Sequence, residues 1–210
     1  MRLKKLYVCL LSILAYSTAN GQTAKTADMN EFKARLEQSA AGTSSIESNF
    51  TQVKHLDIFD EDITSKGKFY YRAEGKICLD YTTPVGYLIV INGEKIKIES
   101  DGKKNVMSLK DNAMMKEMRG MLAACFSGNL SDMSGYKMDV TEDAKTYYVT
   151  ITPASKSIQE YIKSFMVNMD KTDMSVARLR IQESATDYTD YLFSNKKFNT
   201  LTDDSKFSVR

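Results

Sequence analysis

Residues 66–100 read KGKFYYRAEGKICLDYTTPVGYLIVINGEKIKIES, and their alternation decides the fold. Gly67, Phe69 and Tyr71 share one side of an extended chain, and Lys68, Tyr70 and Arg72 share the other. Successive side chains of a strand point to opposite faces, so this is a strand with two unlike faces. Gly75 marks a turn, after which Ile77, Leu79 and Tyr81 alternate with Cys78 and Asp80. Thr83-Pro84 and Gly86 end that strand. Leu88 to Ile91 is apolar throughout and runs into Asn92-Gly93, the strongest short hairpin signal in the chain. Lys95 to Ser100 alternates again, and Asp101-Gly102 marks the next turn. Strands joined this closely form an antiparallel meander.

The pattern extends both ways. Upstream, Ile46, Ser48, Phe50 and Gln52 alternate with Glu47, Asn49, Thr51 and Val53. Before them Met29, Phe32, Leu36 and Ala40 recur at helical spacing, capped by Asp28 with Glu31 three residues on, and ending near Gly42. Downstream, Asp111 to Gly128 interrupts the strands with an amphipathic helix, and Leu130 to Gly135 reads as a short helix or loop. Strands are expected again at Tyr136 to Val140, Tyr147 to Thr152, Ile158 to Asp170, Ser175 to Glu183 and Tyr188 to Phe193, with a short last one near Phe207. Roughly ten strands would curl or close. The expected fold is mainly β: a strongly curved antiparallel sheet forming an incomplete β-barrel, with α-helices as a lid over its concave face.

The first residues read as an address. Arg2, Lys4 and Lys5 precede a short apolar run from Leu6 to Ala15, and Ala19-Asn20-Gly21 offers a small-residue cleavage site. Residues 1–21 are therefore expected to be a secretory signal peptide, and residues 22–210 a single domain. Removing them takes three basic residues and no acid, so a net charge of +2 becomes −1. Such a balance offers phosphates no basic field and speaks against a nucleic-acid partner. Cys78 and Cys125 would remain.

Catalytic and metal-binding constellations are missing from the sequence. His55 is the only histidine and has no partners at ligand spacing. There is no G-x-S-x-G elbow and no glycine-rich phosphate loop. Asp57, Asp60, Glu61 and Asp62 lack the glycine and spacing of a calcium loop and read as a solvated loop. Asp187 and Asp190 stand three apart on a strand, hence on opposite faces. The reading is a non-enzyme with no cofactor and no metal.

Methionine carries more information. Met114, Met118, Met121, Leu122 and Cys125 form one helical stripe. Methionine is unbranched and polarizable and repacks around varying apolar shapes. The stripe is either ordinary helix core or an adaptable lid over an apolar ligand. Cys78, alternating against Ile77, Leu79 and Tyr81, faces away from such a lid, which disfavours a bond to Cys125.

The order of these segments resembles the LolA family of periplasmic outer-membrane lipoprotein carriers. Ser44 to Gln52 is similar to its segment ending in Phe-x-Gln, and Gly67 to Arg72 to its Gly-x-aromatic strand. Gly75 to Tyr81, followed by Pro84, resembles its Gly-Lys-apolar-Arg-aromatic-Glu-Tyr stretch, with Cys78 in place of the arginine. Asn92-Gly93 fits its hairpin, Met121 to Phe126 its lid helix, and Tyr136 to Pro153 and Tyr188 to Phe193 its later strands. The resemblance implies a half-barrel that carries acyl chains of lipoproteins, or other lipids, through the periplasm from inner to outer membrane. It also implies an inner-membrane release complex and an outer-membrane acceptor as partners, with the carrier a monomer. An arginine of the family's Arg-Pro pair is implied to hold the lid shut. Here Ala73-Glu74 stands at that place, and Arg72, one residue earlier, can serve as latch only if its strand carries a bulge. The expected acyl wall is Phe50, Phe69, Tyr71, Ile77, Leu79, Tyr81, Leu88 and Val90, and the expected lid Met114, Met118, Met121, Leu122 and Phe126. The alternatives are an ordinary packed core for all thirteen, and a lipid- or lipoprotein-sensing module of the same fold that transports nothing.

Overall fold

The computed structural model describes residues 24–59, 62–111, 116, 119–121, 124, 126 and 135–210. The expected signal peptide lies outside them, as do Met114, Met118, Leu122 and Cys125.

Helix α1 (Met29–Ala41) starts where Asp28 accepts hydrogen bonds from the amides of Asn30 and Glu31, at 2.8 and 3.2 Å. A carboxylate there satisfies amides that the first turn leaves open. The helix buries Phe32 and Leu36, four residues apart on one face.

Twelve strands follow the chain: β1 (Lys25–Thr26), β2 (Ser45–His55), β3 (Ile63–Arg72), β4 (Lys76–Thr83), β5 (Tyr87–Asn92), β6 (Lys95–Ser100), β7 (Lys103–Ser108), β8 (Tyr136–Glu142), β9 (Thr146–Pro153), β10 (Ser164–Asp170), β11 (Val176–Gln182) and β12 (Tyr188–Phe198). They form one antiparallel sheet in the order β1-β8-β9-β10-β11-β12-β2-β3-β4-β5-β6-β7, with β1 and β7 as unjoined edges. The sheet is an open, mainly β structure, as its alternation predicts. Two meanders meet at the β12–β2 pair, which aligns Phe193 with Phe50.

The sheet has unlike faces. The concave face carries the main core, with α1 against it: Phe32 stands edge-on to Tyr147, ring centres 5.1 Å apart. Arg35 of α1 donates to the Tyr147 hydroxyl and the Lys171 carbonyl, and Ser39 to the Asp173 carbonyl. The convex face carries a smaller cluster of Tyr70, Cys78, Val90 and Phe207. Gly67 allows the bend over Phe50. A Cβ there would lie 2.2 Å from the Asp80 carbonyl oxygen and 2.8 Å from the Phe50 ring. The β3–β4 register shifts at the same place, between Lys66 and Gly67, which is where a bulge curves a sheet.

The elements differ from expectation in several places, among them β7 (Lys103–Ser108), a strand exposed along its whole length and so without an apolar alternation to announce it. Lys25–Thr26 adds an edge strand with too few residues to show a period. The run from Ile158 divides: Lys156–Gln159 forms a short helix, α2, and the strand starts only at Ser164. The end near Phe207 is a single 3-10 turn, Ser205–Phe207, and not a strand. The Asn92-Gly93 hairpin closes one residue later than the motif suggests. Asn92 pairs with Lys95, so Gly93 (φ +58°) and Glu94 make the turn.

Candidate functional site

Alternation places six expected wall residues on one surface. Phe50, Phe69, Tyr71, Ile77, Leu79 and Tyr81 all belong to or pack on the concave core. Register aligns them in rows: Phe69 faces Leu79, Tyr71 faces Ile77, and Gly67 stands between Phe50 and Tyr81. Phe50 and Tyr81 then meet edge-on across the gap, 4.9 Å apart.

Leu88 and Val90 are a correction. Both lie on the convex face, Val90 in its small cluster and Leu88 packed against it. The inward residues of β5 are Tyr87, Ile89 and Ile91. Leu88-Ile89-Val90-Ile91 is apolar on both sides, so its period carried no phase. The pairing of Tyr81 with Tyr87 sets the phase instead. Sequence reading also missed Tyr191 and Phe193, whose spacing of two beside Phe50 was the available signal.

Of the expected lid, Met121 and Phe126 are described. Both are fully or nearly fully buried with helical backbone and join the concave core together with Ala124. Phe126 sits over Phe69 (4.8 Å), Tyr71 (5.5 Å) and Phe193 (6.0 Å). A gap of about 20 Å³, room for roughly one water, remains beside it, lined by Leu36, Ala40, Ile46, Met174 and Phe198 among others. The described concave face is therefore filled by aromatic side chains of its own chain.

Arg72 does not reach this cover. Strand β3 carries no bulge near it, and the side chain shares the convex face with Tyr70. Its guanidinium donates to the carbonyls of Leu201 and Asp203, both at 2.9 Å, and pairs with Asp204 at 2.9 Å. Lys76 also holds Asp204, at 2.6 Å. These bonds fasten the C-terminal segment, whose Phe207 packs with Cys78, and burial pushes the pKa of that thiol up to about 12. A different arginine ties the cover down: Arg119 donates to the Gly93 carbonyl at 2.8 Å. No motif or spacing in the sequence announces this bond.

The rim at the β2–β3 end is polar. The Tyr81 and Tyr191 hydroxyls meet at 3.4 Å, and Tyr87 stacks on Tyr81 at 4.0 Å. Burial, with Tyr191 beside it, pushes the Tyr81 pKa far up, and burial does the same to Tyr191. Lys54 and Thr189 both donate to Glu183, at 3.4 and 2.9 Å. On the opposite face His55 stacks on Tyr188 and its Nδ1 lies 2.7 Å from Asp62. Among the described residues no three His, Cys, Asp or Glu side chains gather as for a metal.

The sequence profile of the outer membrane lipoprotein carrier protein LolA matches residues 41–210. The chain belongs to the LolA family. No curated protein matches it in sequence. Solved structures share its fold at low identity. An uncharacterized conserved protein from Thermus thermophilus is 8% identical with a TM-score of 0.53, covering 85% of this chain and 91% of its own. The MucA/MucB complex of Pseudomonas aeruginosa is similar at 11% identity and TM-score 0.50, covering 87% and 61%. A putative outer membrane lipoprotein-sorting protein domain from Vibrio parahaemolyticus is 12% identical at TM-score 0.50, covering 85% and 95%. The family's description is that of a carrier, and among the described residues nothing in this site points to catalysis.

Proposed function

We propose that this protein is a periplasmic carrier that takes lipoprotein acyl chains into its concave hollow and moves them from inner to outer membrane. One observation supports it most: Phe126, on a helical segment between β7 and β8, occupies the place among Phe69, Tyr71 and Phe193 where a chain would lie. An apolar plug carried on a separate segment keeps the hollow dry when empty and can be exchanged for a ligand of like character. The exchange matters because exposing one methylene to water costs about 0.8 kcal/mol, so a palmitoyl chain faces roughly 12 kcal/mol. Unaided escape from a membrane is negligible at that cost, and a carrier must supply an apolar surface of similar quality. The inner-membrane release complex and outer-membrane acceptor belong to this proposal, as do secretion through residues 1–21 and a monomeric state.

The test is extraction and mass spectrometry of the purified mature protein, paired with binding of an apolar fluorescent probe. Bound acylated material and probe binding lost in Met118→Glu with folding retained support the carrier. A probe that never binds the folded wild type overturns it.

The second reading, a sensing module, is favoured by one fact: Arg72, the latch the family resemblance implies, is committed to the C-terminal segment. Depletion separates the two. Loss of a carrier strands lipoproteins in the inner membrane, and loss of a sensor leaves their sorting intact.

A further inference from the structure

Strand β2 interrupts the greasy wall with polar side chains. Ser48, Gln52 and Lys54 alternate in phase with Phe50, so all four face the hollow. Register places Ser48 against Phe69 and Gln52 against Tyr191. Ser48 Oγ and Gln52 Oε1 are buried and have no hydrogen-bond partner, and Ser48 is 6% exposed. Native proteins leave few buried polar atoms unpaired, so two on one inner wall call for a reason. An absent ligand supplies one.

The neighbours of Gln52 fit the same reason. The Tyr81 and Tyr191 hydroxyls bond only loosely to each other, at 3.4 Å, which leaves capacity on both. Their raised pKa values keep them protonated, hence able to donate, across any ordinary pH. Lys54, two residues beyond Gln52 on the same face of β2, is already paired with Glu183, which also accepts from Thr189. The rim is thus rich in neutral donors and acceptors, and the charge of Lys54 is neutralised. A phosphate would meet a carboxylate there. A carbonyl or hydroxyl would meet partners.

We propose that Gln52, Tyr81 and Tyr191 form a head-group subsite: an acyl ligand lies with an uncharged ester-, amide- or hydroxyl-bearing head at this collar and its tail along Phe69 toward the place of Phe126. Ser48, on the far side of Phe50, serves a second polar linkage deeper in the hollow. This rests on the carrier reading above and adds the class of head that the hollow accepts.

The test uses two ligands with the same sixteen-carbon tail below their micelle concentrations, 1-monopalmitoylglycerol and hexadecylphosphocholine. Each competes with N-phenyl-1-naphthylamine bound to the full mature chain. The wild type is expected to bind the glycerol ester about tenfold more tightly, the scale of one or two well-placed hydrogen bonds. Gln52→Leu combined with Tyr191→Phe should remove that preference by weakening the ester alone. Phosphocholine affinity and the melting temperature should stay put. Tyr191→Phe alone, which removes a single oxygen, gives the same reading at smaller amplitude should the double variant not fold. Equal affinities in the wild type, or a preference that survives substitution, overturn the subsite and leave the carrier standing. Failure of both ligands to displace the naphthylamine overturns the carrier reading, and the subsite with it.

Discussion

A methyl group at position 67 has nowhere to go. The Asp80 carbonyl oxygen would lie 2.2 Å away and the Phe50 ring 2.8 Å away, and the first is backbone that cannot step aside. Gly67→Ala is expected to cost about 2–4 kcal/mol, read by urea denaturation, because it forces β3 and β4 apart where the sheet bends. Asp190 is a second such residue. It is buried on the sheet and accepts from Nε and Nη2 of both Arg178 and Arg180 at 2.7–3.0 Å. Burial alone would raise its pKa, but the hydrogen bonds from Arg180 and Arg178 outweigh that and hold it below the usual carboxylate range. A carboxylate with a lowered folded pKa stabilises the protein above its unfolded pKa, about 3.9, and loses that contribution as pH falls through the folded value. The wild type should therefore lose stability below about pH 4 more steeply than Asp190→Asn, measured by thermal melting across that range. Neither residue was legible in full. Gly67 stood out as a glycine inside a strand, but its crowding arises from Asp80, on the next strand. Asp190 was read as one of two carboxylates on opposite faces, and its arginines lie on the neighbouring strand, beyond any local pattern.

At the scale of elements, two segments cross the sheet and two arginines hold them. Arg72 fastens the C-terminal segment on the convex face, and Arg119 ties the cover of the concave face to Gly93. The two sites predict opposite behaviour. Arg72→Met should lower stability by about 1–3 kcal/mol, since Asp204 and two carbonyls lose a charged partner, and should leave uptake of an apolar probe unchanged. Arg119→Met should leave stability within about 1 kcal/mol and speed probe uptake in stopped-flow fluorescence, because the cover loses its tie to the β5–β6 turn. The sequence announced these elements unevenly. Strand β4 was readable because Ile77, Leu79 and Tyr81 alternate with Cys78 and Asp80. Strand β5 was not, because Leu88 and Val90 are as apolar as Ile89, and only the pairing with Tyr81 fixes which face is which. The C-terminal turn was misread as a strand for a related reason: Phe207 is one buried apolar residue, and a single residue has no period. Of the methionine stripe only Met121 lies among the described residues, where it joins the concave core, and the bond from Arg119 to a turn carbonyl has no sequence signature.

The whole molecule sets the final argument. A twelve-stranded sheet that stays open has a concave face that must be covered, and two different things cover it. Helix α1 is fixed by Phe32, Leu36 and the bonds of Arg35 to the later strands. The segment carrying Met121 and Phe126 contributes buried apolar side chains, and Arg119 ties it to the β5–β6 turn. Ligand entry should exchange the second cover and leave the first in place. Two measurements then move in opposite directions. Saturation with an acyl ligand at about a hundred times its dissociation constant should stabilise the fold by about 2.7 kcal/mol, seen as a higher melting temperature. At the same time trypsin should cut faster at Lys110, Lys116 and Arg119, because Phe126 has left its place over Phe69 and Tyr71. Sites on α1 and the sheet should become more resistant. An ordinary packed core that merely binds a lipid on its surface gives slower cleavage everywhere as the melting temperature rises. Faster cleavage confined to the β7–β8 segment, in a protein that has become more stable as a whole, requires a plug that trades places with its cargo.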